Sequence, residues 1–239
     1  MAYRFKKRSR FGKLARMKKG ARRFSGGGRS AKRQRLSKPK TAVTMGRGFP
    51  KRLTFTHTYA DTIQITSNVG IANSYVFSAN SLYDPDISGG GHQPLYFDQL
   101  TPLYDHYVVI GSKIKATIVP TTASTVPIKV ALYLNDDSSP VSQNPIDIAE
   151  QTGASCRILT QGQSNPITLT KGFSAKKVFG GSILSNVELQ GTSGAAPVEQ
   201  SDFILAMQPM DATSTVAVFV NFVVTYTAVW KELKDVAKS

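Results

Sequence analysis

Arg4, Lys6, Lys7, Arg8, Arg10, Lys13, Arg16, Lys18, Lys19, Arg22, Arg23, Arg29, Lys32, Arg33, Arg35, Lys38 and Lys40 stand at the head of this chain with no carboxylate among them, the first acid being Asp61. They gather in three dense clusters, Lys6-Lys7-Arg8-Ser9-Arg10, Lys18-Lys19-Gly20-Ala21-Arg22-Arg23 and Lys32-Arg33-Gln34-Arg35, spaced by Gly and Ser. Cations at this density neutralise a phosphate backbone and release its counterions, which gives binding that depends steeply on salt and little on base sequence. Tyr3, Phe5, Phe11 and Phe24 lie among them; they are either stacking partners for unpaired bases, which suits single strands, or incidental side chains of an arm. A nuclear import signal needs only about 5–8 basic residues, so the clusters can serve both purposes. An anionic membrane would also attract them, but their apolar neighbours do not line one face as an interfacial helix requires.

Elsewhere the residues that could do chemistry are scattered. His57 falls in phase with the apolar residues around it, the expectation for a hydrogen-bonded core histidine rather than a base or ligand. Asp61, four residues on, is about 13 Å away along an extended strand. His92 follows Gly89-Gly90-Gly91, and His106 sits between Asp105 and Tyr107; no two histidines have metal-ligand spacing. Asp84-Pro85-Asp86 and Asp136-Asp137 read as turn carboxylates, since neither has the alternating oxygens of a calcium loop. Cys156 reads as a small buried hydrophobe with only Arg157 near to activate it. GxxxxGK[ST], GxSxG and GxGxxG are all missing. No residue set points to catalysis, a metal or a cofactor.

The whole chain has 239 residues, with 30 Lys and Arg against 15 Asp and Glu. Residues 1–52 hold 20 of the 30 bases, adding Arg47, Lys51 and Arg52 to those above, so the remainder carries 10 bases against 15 acids, a balance of −5. A polycation is joined to a mildly acidic body. The body is long enough for one domain with a sizeable core, and its Val, Ile, Leu and Thr content favours sheet. One cysteine excludes an intrachain disulfide framework and a Cys-rich zinc site. The basic N-terminus lacks the apolar stretch of a signal peptide. The most apolar run, from Val216 to Trp230, is interrupted by Asn221, Thr225 and Thr227 and is too short for a membrane helix, so no membrane insertion is expected.

Residues 1–49 read as a disordered arm, because like charges repel and too little apolar surface is available to offset chain entropy. Residues 50–239 read as the folded domain. Period-2 alternation marks strands at 53–65, 108–118, 128–134 and, most clearly, 216–230, where every even position is apolar. In the second of these Val108, Ile110, Ile114 and Ile118 are expected on one face, with Lys113, Lys115 and Thr117 opposite. Weaker runs at 73–79, 155–160, 166–173 and 202–208 bring the number to eight. Short connections at 67–72, 120–126, 161–165 and 209–213 alternate strictly with long ones at 80–106, 135–154 and 174–201. An all-β, eight-stranded jelly-roll sandwich explains that rhythm, with tight turns at one end and long connections at the other; an immunoglobulin-like sandwich is the rival. Residues 94–100 and 144–150 carry short helical patterns, the second with Pro145 suited to a first helical position, and 174–201 reads as irregular loop.

The order of parts, a cationic arm opening Tyr3-Arg4-Phe5-Lys6-Lys7-Arg8, then Lys51-Arg52-Leu53-Thr54-Phe55, then Gly90-Gly91-His92-Gln93-Pro94-Leu95-Tyr96-Phe97-Asp98-Gln99-Leu100 leading to Leu103-Tyr104-Asp105-His106-Tyr107-Val108-Val109, resembles the capsid proteins of small circular single-stranded DNA viruses, the circovirus-like, Rep-encoding group. The resemblance spans the chain in layout and is sharpest over residues 90–119. The mixture of Lys, Arg, Gly and Ser in the arm departs from the nearly pure arginine arms of that group.

The resemblance implies a jelly-roll shell domain, self-assembly into a small icosahedral T=1 shell of sixty copies, and an inward arm that packages single-stranded DNA. It also implies a virion protein that enters the host nucleus, with import receptors and surface glycans as further partners. Sixty arms of 20 charges would neutralise about 1,200 phosphates. Under the same reading the short connections surround the fivefold axes, Lys113 and Lys115 extend the basic interior with Arg47, Lys51 and Arg52, and Tyr96, Phe97, Leu100, Leu103 and Tyr104 are anchors shared between the subunit core and a neighbour. A coat protein of a small single-stranded RNA virus, a cellular nucleic-acid-binding module and a sugar-binding jelly roll remain open alternatives.

Overall fold

In the computed structural model the described residues are 48–88, 90–121, 126–136, 144–160 and 166–235. The expected arm, apart from Gly48 and Phe49, lies outside them, as do the connection 161–165 and most of 120–126. Among the described residues there are eight strands: β1 (Arg52–Thr66), β2 (Asn73–Ser78), β3 (Tyr104–Pro120), β4 (Ile128–Asn135), β5 (Ser155–Leu159), β6 (Ile167–Ser174), β7 (Asp202–Pro209) and β8 (Ala217–Leu233). Three short helices lie between them, α1 (Phe97–Leu100), α2 (Pro145–Ala149) and α3 (Ala175–Val178), together with a 3-10 turn at Ile183–Ser185.

The strands form two four-stranded sheets, ordered β1-β8-β3-β6 and β2-β7-β4-β5, with every neighbour antiparallel. The first strand pairs with the last, the second with the seventh, the third with the sixth and the fourth with the fifth. That nesting is a long antiparallel ribbon rolled on itself, and it defines a jelly roll. The β4–β5 connection is the one long link that stays within a sheet; the other connections pass between the sheets. The connections 67–72 and 209–213 and the described ends of 120–126 meet at one end, where Gly70 N–H donates to Ser214 O at 3.1 Å, Met210 N–H to Pro127 O at 2.9 Å and Thr121 N–H to Ala217 O at 3.0 Å. Gly70 has φ +66, and a Cβ there would lie 2.5 Å from the Ala212 carbonyl oxygen, so the turn needs glycine twice over.

Alternation produces the core. Val218, Val220, Phe222, Val224, Tyr226, Ala228 and Trp230 of β8 all point inward and are buried, meeting Tyr59 of β1, Phe77 of β2, Ile114 of β3, Leu132 of β4 and Leu205 of β7 in one cluster. β7 is apolar at consecutive positions because both its faces are covered. Ile204 and Ala206 pack outward with Val76, Ala131 and Tyr133 beneath Ile148 of α2. Asn144 caps that helix by accepting from Ile146 N–H at 3.0 Å, with Pro145 at its start. Buried hydroxyls tie the layers together: Tyr226 donates to Ser78 O at 2.7 Å and Ser112 to Ala79 O at 2.5 Å.

Two expectations need correction. The connection 174–201 is not irregular throughout, since it contains α3, the 3-10 turn and a bridge from Gly191 back to Tyr107. In β3 the inward set is Val109, Ile114, Ala116 and Ile118, whereas Val108 and Ile110 belong to the other face. The register skips from Val109 to Gly111, leaving Ile110 as the extra residue of a bulge, and one extra residue reverses the alternation on either side of it.

Candidate nucleic-acid interface

Of the cations singled out in the sequence, those from Arg4 to Lys40 and Arg47 lie outside the described residues. Lys51 and Arg52 are exposed where the chain enters β1. Together with Lys231, Glu232 and Leu233 they line a cavity of about 280 Å³. Arg52 is opposite Lys231, which in turn is opposite His106 across the sheet. Glu232, held in the left-handed region at φ 62, contacts His106 at 2.8 Å and Lys231 at 3.4 Å. Its partial burial favours the neutral acid, but the hydrogen bond from His106 and the nearby Lys231 charge outweigh this and hold its carboxyl below the ordinary value. This end of the sheet therefore has its cations partly neutralised. Lys231 is further committed to Leu184 O at 3.4 Å.

Lys113 and Lys115 occupy a different place, exposed on the outer face of the β1-β8-β3-β6 sheet. Lys113 is opposite Thr225 and Gly172, and Lys115 is opposite Val223 and Thr170. Six residues of β8 separate the Thr225 row from Lys231, about 20 Å at strand spacing, so the two basic groups form separate patches. Phe219 lies on the same face as the lysines, 47 % exposed and opposite Val119. The sequence carried a signal for it: Phe219 is an aromatic ring in the outward, odd-numbered set of β8, which is otherwise Ala, Asn, Val and Thr up to residue 227.

The expected anchor segment divides in two. Phe97 and Tyr104 are each 1 % exposed and belong to the subunit's own core, around Trp230 at ring separations of 5.7 and 6.3 Å. Tyr104 also donates to Pro50 O at 2.8 Å, fastening the start of the domain. These two rings are the part of the anchor set that lies in the subunit core. Leu100 and Leu103 pack against the same core with part of their surface open. Tyr96 is the ring that faces outward, 58 % exposed, at φ 70 and edge-on to Phe55 at 5.6 Å.

The groups that could act as bases or nucleophiles have structural duties. His57 is fully buried; its Nε2 accepts from Trp230 Nε1–H at 3.0 Å, so its Nδ1 carries the proton and donates to Leu95 O at 3.0 Å. Burial pushes its pKa down, against the hydrogen bond to Leu95. Tyr59 is pushed up to about 12 by burial, with Asp86 and Asp61 adding to the effect. Cys156 is half-buried, and burial raises its thiol despite Arg157. Among the described residues no group of three or more His, Cys, Asp or Glu could hold a metal ion, and no helix is long and apolar enough to cross a membrane.

No protein-family model and no curated protein matches the sequence. Among solved structures the chain is similar to Desmodium yellow mottle tymovirus, at 15 % identity and a TM-score of 0.39 over 93 % of this chain and 100 % of that one. It is also similar to the 60-mer BFDV capsid protein, at 12 % identity and a TM-score of 0.44 over 80 % of this chain and 100 % of that one. Cucumber leaf spot virus gives 13 % identity and a TM-score of 0.44 over 80 % of this chain and 54 % of that one. The jelly-roll assignment stands on this chain's own strand pairing.

Proposed function

We propose that this chain is a viral coat protein whose jelly-roll domain assembles into a closed shell, sixty copies in the simplest case, and whose basic arm packages single-stranded DNA. The observation that carries the reading is the division of charge. Residues 1–52 hold 20 bases and no acid, while nine of the 15 acids fall in the long connections 79–103, 136–154 and 175–201. A polycation binds phosphate without regard to sequence, which suits a genome-wide partner rather than one site. A domain presenting a tight-turn end and an elaborated end suits repeated, closed association with copies of itself. Import through the arm's clusters would bring the protein to the host nucleus before assembly, and the long connections would supply the outer contacts, with Tyr96 and the open parts of Leu100 and Leu103 among them.

The test is the nucleic acid held by the assembled full chain. Nuclease-treated particles are opened and their contents digested separately with DNase and RNase. Protected, DNase-sensitive material is the expected result. RNase-sensitive contents would move the reading to an RNA coat protein, and a small stoichiometric complex without particles would move it to a cellular nucleic-acid-binding module.

A further inference from the structure

Resting on the packaging reading above, we infer that the outer face of the β1-β8-β3-β6 sheet is a second contact surface for single-stranded nucleic acid, with Lys113 and Lys115 taking phosphates and Phe219 stacking on a base. Register fixes the composition of this face. Its transverse rows run Thr58, Thr225, Lys113, Gly172; then Ala60, Val223, Lys115, Thr170; then Thr62, Asn221, Thr117, Thr168; and Phe219 stands opposite Val119 in the next row. No carboxylate belongs to any of them. Asp61, the one acid within β1, falls on the opposite set, and its Oδ1 accepts the Thr62 N–H at 2.7 Å.

Threonine on a solvent face needs no special explanation, since it is a good strand former. The charge does, because the body has 10 bases to 15 acids beyond residue 52 and yet these rows carry two cations and no acid. Phe219 is about 13 Å along the strand from the Lys115 row and about 20 Å from that of Lys113. That span matches a short run of nucleotides, within the roughly 4–16 that single-strand-binding β domains cover. An exposed ring can stack only on an unpaired base, which selects a single strand over a duplex. The chain's own arm is excluded as the occupant by like charge. A second copy's identical face would bring lysine toward lysine with no acid on either face to offset them.

Full-length protein is titrated with labelled oligothymidine of about 30 nucleotides, long enough to engage arm and face together, over a range of KCl. Wild type is compared with the exposed-site variants Lys113→Thr/Lys115→Thr and Phe219→Thr, which keep strand-forming residues. Loss of two phosphate contacts should flatten the slope of log K against log salt by about 1.4. Loss of the ring should weaken binding roughly 5- to 150-fold at fixed salt. Lysine acetylation of the wild-type complex supplies a readout independent of variant folding: Lys113 and Lys115 should be protected when DNA is bound. Unchanged slope, affinity and acetylation, with the full chain still binding DNA, would overturn this face as a contact and leave packaging by the arm intact. Lysine variants that bind DNA normally but lose particles would also overturn it, making the face a subunit interface. A wild-type chain that binds no single-stranded DNA would remove the packaging reading and this inference together.

Discussion

Acidification should loosen the domain through His57. In the folded protein Nε2 accepts the indole N–H of Trp230 at 3.0 Å while Nδ1–H faces Leu95 O at 3.0 Å, so the ring is neutral and has no room for a second proton. Protonation would set two N–H groups against each other inside the aromatic cluster. Burial holds the folded pKa below the ordinary histidine value of 6.5, opposed by the Leu95 bond. A base with a lowered folded pKa contributes its full stability above the unfolded value. That stability is lost as pH falls from 6.5 toward the folded pKa, at up to about 1.4 kcal/mol per pH unit. The loss grows as pH falls through this window, and each kcal/mol lost lowers Tm by about 2–4 °C for a domain of this size. Trp230 is the only tryptophan, so intrinsic fluorescence during urea unfolding reads the site directly. The His57→Gln variant, which cannot take up the proton, should show a shallower dependence between about pH 6.5 and pH 5. Equal slopes in the two proteins, or an Nε2-protonated His57 by NMR, would refute the reasoning.

Other perturbations follow from the same packing. Tyr107 accepts the buried N–H groups of Leu82 at 3.1 Å and Tyr83 at 3.2 Å, so Tyr107→Phe should cost about 2 kcal/mol or more in urea unfolding, while a loss below ~0.5 would contradict those bonds. Gly191→Ala would place a Cβ 2.1 Å from the Tyr107 ring, and a thermal melt should show destabilisation of about 1–3 kcal/mol; an unchanged midpoint would place Gly191 elsewhere. Tyr96→Gly relieves a left-handed backbone worth roughly 1 kcal/mol and gives up the Phe55 contact, so subunit stability should stay within about 1 kcal/mol while shell assembly, followed by light scattering, declines. Normal assembly of that variant would remove Tyr96 from the contacts between copies.

Much of the fold was legible because period-2 alternation survives wherever one sheet face is buried. β8 is the clearest case: its even residues from Val218 to Trp230 are the centre of the core. Connection lengths alone conveyed the roll, because nesting the first strand with the last forces long and short links to alternate. The bulge at Ile110 was not legible, since a single unpaired residue leaves hydrophobicity unchanged and only the register with β8 reveals it. His57 announced its inward direction but not its partner, because Trp230 lies 173 residues away in sequence. Phe97 and Tyr104 show a similar limit: an aromatic segment marks burial without saying whether the cover comes from the same subunit or another. Lys113 and Lys115 were visible as the polar side of a strand, but their acid-free surroundings needed the pairing of four strands.

The most direct test of the central claim is size-exclusion chromatography with negative-stain microscopy on the full chain and on a chain beginning at Pro50, each at low and high salt. Uniform shells are predicted, with nucleic acid recovered in quantity when residues 1–49 are present, largely lost when they are removed, and released as salt rises. A monodisperse small species under every condition, even with added single-stranded DNA, would contradict the coat-protein account.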